Sequence, residues 1–178
     1  MIELERTFLA KYIPEGLHNS PSREIVDLYF PKSNPHPKLR IRKIGDKIEM
    51  TKKKPIDNDV SQQIEQTIEL SEAEFKELTK LDCHKTEKTR YYYEFDGKKA
   101  EIDVFHGKLE GLVMADFEFD EISEKDSFQM PDFCLADVTQ DEFTAGGILC
   151  QRIYADIEKD LKRFGYKKLP IKEVNPSK

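Results

Sequence analysis

Along the N-terminal two thirds of the chain, apolar and polar residues alternate with a period of two. Such alternation marks β-strands, because successive strand side chains point to opposite faces. It runs through residues 2–11, 24–30, 38–44, 47–54, 61–70, 88–95, 98–105 and 113–119. Gly45-Asp46 and Asp96-Gly97 fall between consecutive runs and predict tight hairpin turns. Ser71 followed by Glu74 has the spacing of a capping box and predicts a helix reaching about Leu81. A second helix is expected over 148–164, stopped by Gly165. Eight strands with few helices predict an α+β fold, mostly β: an eight-stranded antiparallel sheet closed into a barrel, with helices packed outside. The chain reads as one domain over 1–170, with a frayed tail over 171–178.

The polar faces of these strands carry an uncommon amount of like charge. Glu3 and Glu5 share a face with Thr7, Glu101 shares one with Asp103, and Asp116 shares one with Glu118. Arg40 and Arg42 stand together, Lys52 aligns with Met50, and Lys88 aligns with Arg90 and Tyr92. In the run Lys52-Lys53-Lys54 strand parity separates Lys53 from its neighbours, and Lys52 is taken as the site residue. A solvated outer face would show mixed charge instead. Carboxylate oxygens are the ligands of hard cations such as Mg2+, and Arg and Lys match phosphate oxygens. The set therefore suits a multiply charged anion held together with a divalent metal. A barrel interior lets opposite strands bring both sets together. Without that convergence, neighbouring carboxylates would only repel each other and raise each other's pKa.

Composition narrows the classes of function. The 178 residues hold 29 Lys+Arg against 35 Asp+Glu, a net charge of −6, which weighs against a general nucleic-acid binder. No apolar stretch approaches the about 20 residues of a membrane span. Glu3 and Glu5 stand where a signal peptide would place basic and then apolar residues. Cys83, Cys134 and Cys150 are far apart without zinc spacing, and His18, His36, His84 and His106 show no metal spacing either. A reduced, cytoplasmic protein is expected, with no nucleic-acid or membrane partner, as a monomer or homodimer. A Gly-Lys phosphate loop is absent from the sequence.

Glu3-Leu4-Glu5-Arg6-Thr7-Phe8-Leu9 resembles the Glu-x-Glu-x-Lys opening of the CYTH proteins, or triphosphate tunnel metalloenzymes. The likeness continues, in the family's order, through Leu39-Arg40-Ile41-Arg42, Met50-Thr51-Lys52, Glu87-Lys88-Thr89-Arg90-Tyr91, Glu101-Ile102-Asp103-Val104-Phe105 and Ala115-Asp116-Phe117-Glu118-Phe119. The resemblance implies an eight-stranded antiparallel tunnel lined with charge, acting on a triphosphate with Mg2+ or Mn2+. It implies metal binding by Glu3, Glu5, Asp103, Asp116 and Glu118. Arg40, Arg42, Lys52, Lys88 and Arg90 would hold the phosphates and, with Glu3 and Glu5, carry catalysis. The implied reaction is metal-dependent hydrolysis of a small triphosphate, inorganic triphosphate by default. The alternatives are adenylyl cyclase chemistry on ATP, as in the family's class IV cyclases, and a catalytically weak polyphosphate- or nucleotide-binding module.

Three positions depart from the family pattern. Thr7 stands where the opening motif has Lys, and Lys11, further along the same strand, is a poor substitute. Gln63 replaces a basic residue of the central strand, and Glu142 lies in a C-terminal region where the family is basic. Gly146-Gly147 reads as a flexible turn before the last helix, or alternatively as a nest of backbone N–H groups for an anion.

Overall fold

The computed structural model describes residues 2–170. Eight strands form the barrel: β1 (Ile2–Ala10), β2 (Ser22–Phe30), β3 (Leu39–Ile44), β4 (Lys47–Ile56), β5 (Asp59–Glu69), β6 (His84–Phe95), β7 (Lys98–Phe105) and β8 (Val113–Phe119). They run antiparallel in the order β5-β4-β3-β2-β6-β7-β8-β1, and β1 pairs back onto β5 to close the ring. That closing seam is short, joining Ile2, Leu4 and the intervening Glu3 to Ile64, Gln62 and Gln63. Beyond it, a ninth strand, β9 (Cys134–Asp137), takes over the same edge of β1 from Phe8 to Ala10. Gln140 Nε2 donates to Asp59 Oδ1 at 2.8 Å, tying the end of the β9 segment to the start of β5.

Local sequence explains the corners. Gly45, Asp96 and Gly97 have positive φ, as the tight turns at 45–46 and 96–97 require, and Asp57-Asn58 turns β4 into β5 in the same way. Pro55 lies beside the register shift between β4 and β5, where a residue without N–H is tolerated.

The apolar core lies outside the barrel wall. Leu4, Phe8, Ala100, Ile102, Ala115 and Phe117 face outward and are buried against Phe133 and Phe128. On the β2–β3–β4 side, Leu28, Ile41 and Ile48 pack beneath Phe75 and Leu78 of α1 (Glu72–Leu78), whose N-terminus carries the Ser71–Glu74 capping box. The inward positions Leu9, Phe105 and Met114 join Leu149, Ile157 and Leu161 in a third cluster that gives one end of the lumen an apolar floor. No described helix is long and apolar enough to cross a membrane.

The structure modifies several sequence expectations. The helix expected over 148–164 is two helices, a short one at Gly146–Leu149 and a longer one at Tyr154–Arg163. Ile153 between them is extended, and Asp156 Oδ2 accepts its N–H at 2.9 Å, which starts the second helix afresh. β9 and a short helix at Ile122–Ser127 are additional elements. β6 begins at His84 rather than 88. The frayed tail expected over 171–178 lies outside the described residues.

Candidate active site

The lumen encloses a cavity of about 960 Å³. Register determines what lines it. Arg40 is opposite Thr51 and Arg42 opposite Glu49 across β3–β4; Lys53 is opposite Glu65 across β4–β5. Arg90 is opposite Asp103, Glu101 opposite Asp116, and Asp116 opposite Thr7 across the other wall. Directly opposed residues share a face, so these side chains are brought to one interior. The structure thus gathers Glu3, Glu5, Arg40, Arg42, Lys88, Arg90, Asp103, Asp116 and Glu118 around a single cavity.

Lys52 is the exception, and the expectation for it is corrected. It pairs with Leu39 and lies in an outer groove with Leu39, Met50 and Ile68. Lys53 takes the lumen position. The apolar pair Ile48 and Met50 belongs to the outward core, which leaves Glu49, Thr51 and Lys53 for the interior.

Most lumen cations are pinned by carboxylates. Arg42 donates from Nε to Asp27 Oδ1 at 2.6 Å and from Nη2 to Oδ2 at 2.7 Å, a bidentate pair. Burial disfavours the Asp27 charge, but the facing cations, Arg42 first and then Arg40 and Lys88, together outweigh it and lower the carboxyl to about 2. Arg90 grips Asp103 through Nε and Nη2, both at 2.7 Å, and also pairs with Glu101. Lys88 ion-pairs with the same Asp103. Both Asp103 oxygens are therefore engaged, and Asp103 is the buried counter-ion that fixes Lys88 and Arg90. Burial drives the Lys88 ammonium toward its neutral form, against the pull of Asp103. Arg40 differs from all of these. It makes no ion pair or hydrogen bond among the described residues, and its Nε is buried without a partner.

The remaining carboxylates are crowded. Asp116 is pushed up to about 7, first by burial and then by the charges of Glu5 and Asp103. Its Oδ1 accepts a hydrogen bond from Thr7 Oγ1 at 2.8 Å. Glu118 is raised by burial and by Glu101, Glu3 and Glu5. Burial also raises Glu3, with Lys53 opposing. Among the described residues no three Asp, Glu, His or Cys side chains form a ready metal cage. Glu3, Glu5 and Glu65 converge instead on the Lys53 ammonium.

Sequence reasoning also missed Asp27, Tyr29 and Glu65 as lumen residues. Asp27 was findable as the one charge within the apolar run from Ile25 to Phe30. Gly146 and Gly147 line the same cavity, and their smallness is steric. A Cβ at Gly146 would collide with the Tyr29 hydroxyl, and one at Gly147 with the Pro37 carbonyl. Beside these glycines His36 Nδ1 lies 3.5 Å from Glu142, so Glu142 faces a histidine of the 31–38 loop. Gln63 lines the lumen, and Lys11 is exposed at the end of β1.

No family model matches the chain. An inorganic triphosphatase of Nitrosomonas europaea is 32% identical over 80% of this chain and 92% of its own length. One from Acetivibrio thermocellus is 34% identical over 58% of this chain and 65% of its own. The crystal structure of the inorganic triphosphatase NE1496 superposes with a TM-score of 0.62 at 26% identity, covering 85% of this chain and 95% of that one. With a closed eight-stranded barrel, a charge-lined lumen and relatives of this closeness, the chain belongs to the CYTH family, the triphosphate tunnel metalloenzymes.

Proposed function

We propose that this protein hydrolyses a small triphosphate, with inorganic triphosphate as the default substrate, in the barrel lumen and with Mg2+ or Mn2+ as cofactor. The observation that carries the reading is Arg40: a half-buried guanidinium whose Nε is buried and unpartnered, facing a large charged cavity in which Arg42, Lys53, Lys88 and Arg90 are already paired. Burying such a group without a partner is costly, and an anion entering the lumen removes that cost. The kinship to inorganic triphosphatases supports the choice of anion.

In this reading Arg40 and Arg42 grip phosphate oxygens from one wall, and Lys88 and Arg90 do so from the other. Asp27 and Asp103 preset the Arg42, Lys88 and Arg90 side chains, so little order is lost when substrate arrives. The residues fit a hard divalent cation, because their donors are carboxylate oxygens and because Asp116 and Glu118 are crowded by neighbouring carboxylates. Glu3, Glu5, Asp116 and Glu118 would hold that ion, which supplies neutralisation of phosphate oxygens and a more acidic water when bound. Thr7 orients Asp116 through its hydroxyl.

A phosphate-release assay over triphosphate, pyrophosphate, ATP and thiamine triphosphate, with Mg2+, Mn2+ or EDTA, tests the proposal. Release from triphosphate that stops in EDTA is expected. Cyclic AMP from ATP, or binding without phosphate release, would replace this reading by the cyclase or the binding module.

A further inference from the structure

Three lumen carboxylates already hold a cation, and that cation belongs to the chain. The Lys53 ammonium ion-pairs with Glu3 and lies 3.3 Å from Glu65 and 3.6 Å from Glu5. The Lys53 side chain is 24% exposed, and those of Glu3 and Glu5 are 19% and 20%, so the cluster is sheltered rather than a solvated surface pairing. The barrel's closing seam builds it. β5 stands between β4 and β1, placing Glu65 directly opposite Lys53 on one side and Gln63 opposite Glu3 on the other. An ammonium has three N–H donors and no acceptor. Three surrounding carboxylates are therefore its natural complement, and carboxylate oxygens are also the ligand type a hard metal ion takes.

The three carboxylates form a triangle about the ammonium, and Glu65 also accepts a hydrogen bond from Thr67. Two of its members, Glu3 and Glu5, belong to the carboxylates assigned above to the divalent ion. An ammonium and a divalent cation cannot share that space without repulsion. Lys53 also has somewhere else to go. Its four-carbon stem is flexible, and the Arg40 guanidinium is close enough to repel its charge and to act on Glu65. A polyanion drawn to Arg40 would lie within the same neighbourhood.

Resting on the reading that the lumen binds a divalent ion and a polyanion, we infer that Lys53 is a built-in competitor for that ion. Its ammonium neutralises the Glu3–Glu5–Glu65 triangle in the metal-free protein. It leaves the triangle on metal loading and turns its charge to the anion beside Arg40. Metal affinity is then held down while the lumen lacks an anion, because the released ammonium has no partner. It rises once an anion is present to receive Lys53, which couples the two binding events through one side chain.

The test is Mn2+ binding to the full chain without phosphate, read by EPR of free Mn2+ or by calorimetry, for wild type, Lys53→Met and Lys53→Arg. Lys53→Met should bind Mn2+ at least tenfold more tightly than wild type, and Lys53→Arg no more tightly. An equal or weaker affinity in Lys53→Met, with wild type binding Mn2+, overturns the inference and leaves the metal-dependent reading standing. Absence of Mn2+ binding in both wild type and Lys53→Met overturns the two together. Should Lys53→Met fail to fold, wild type decides alone. With 13C-labelled lysine, the Lys53 Cε resonance, identified by its loss in Lys53→Arg, should shift on Mg2+ addition. An unmoved resonance at saturating Mg2+ overturns the inference.

Discussion

Arg40 and Arg42 sit two residues apart on one face of β3, yet their surroundings ask opposite things of them. Arg42 satisfies Asp27, a carboxylate only 2% exposed, through two short hydrogen bonds. Removing one member of such a pair strands the other's charge, which costs about 3–5 kcal/mol. Arg42→Gln should therefore lower stability by that amount in urea unfolding. Arg40 satisfies no described group. Arg40→Gln should leave the urea midpoint nearly unchanged and weaken triphosphate turnover by about ten- to a hundredfold, the value of one charge-assisted hydrogen bond of about 1.5–3 kcal/mol. Equal stability losses in the two variants would sink the distinction. Thr7 is a third residue-scale case. Its hydroxyl donates to Asp116 where relatives of the family pattern have an ammonium. Thr7→Lys adds a cation beside a carboxyl that burial and like charges hold at about 7. It should return Asp116 toward its ordinary range and raise phosphate release several-fold at neutral pH. A fall in rate would show that the lumen has no room for the longer side chain.

At the scale of elements, the loop at 31–38 and the short helix Gly146–Leu149 depend on each other's backbone. Gly147 packs so closely on the Pro37 carbonyl that no Cβ fits, and Gln151 Nε2 donates to Pro35 O at 2.8 Å. Gly147→Ala must displace main chain, whereas Gly146→Ala meets the end of the Tyr29 side chain. Gly147→Ala should accordingly cost more stability than Gly146→Ala, and limited proteolysis should cut its 31–38 loop faster. Similar cutting of both variants would refute this. Alternation made the eight barrel strands legible, because each strand buries an outward apolar row and needs an inward polar one. In the run of three lysines both faces are basic, and the parity had to be taken from Ile48 and Met50, which carry Lys52 to the outer face and leave Lys53 with Glu49 and Thr51; the pairing of Lys52 with Leu39 agrees. β9 is four residues long, too short to establish a period. The break at Ile153 carries no Gly or Pro, and the helical pattern runs across it. The counter-ion role of Asp103 was not legible in the sequence, because it depends on Arg90 and Lys88 meeting it from a neighbouring strand.

For the molecule as a whole, the lumen makes stability a function of pH and of cations. Asp116 has a carboxyl pKa near 3.8 when unfolded and about 7 when folded, raised by burial and then by Glu5 and Asp103. Between those values the folded protein holds a proton that the unfolded chain has released. Its contribution is present below pH 3.8 and is lost as pH rises through about 7. Glu3 and Glu118 are shifted in the same direction and add to the loss. Asp27 runs the other way: the facing cations, Arg42 first, lower it from 3.8 to about 2, so its contribution is present above pH 3.8 and is lost as pH falls through about 2. The metal-free protein should therefore melt highest in mild acid, and its Tm should fall between about pH 5 and pH 8. For a chain of this size each kcal/mol moves Tm by about 2–4 °C. Asp116→Asn removes the largest contributor and should flatten the fall, with a higher Tm than wild type at about pH 8. In the proposed metal-dependent reading Mg2+ would bind the folded carboxylates and not the unfolded chain, so it should recover the lost stability at about pH 8 and do little at about pH 5, where protons already occupy part of the cluster. Calorimetry of wild type and Asp116→Asn across that range, with Mg2+ and with EDTA, separates the contributions. A wild-type Tm that rises toward pH 8 in EDTA would mean that the lumen carboxylates are already neutralised, and the crowding described here would not exist.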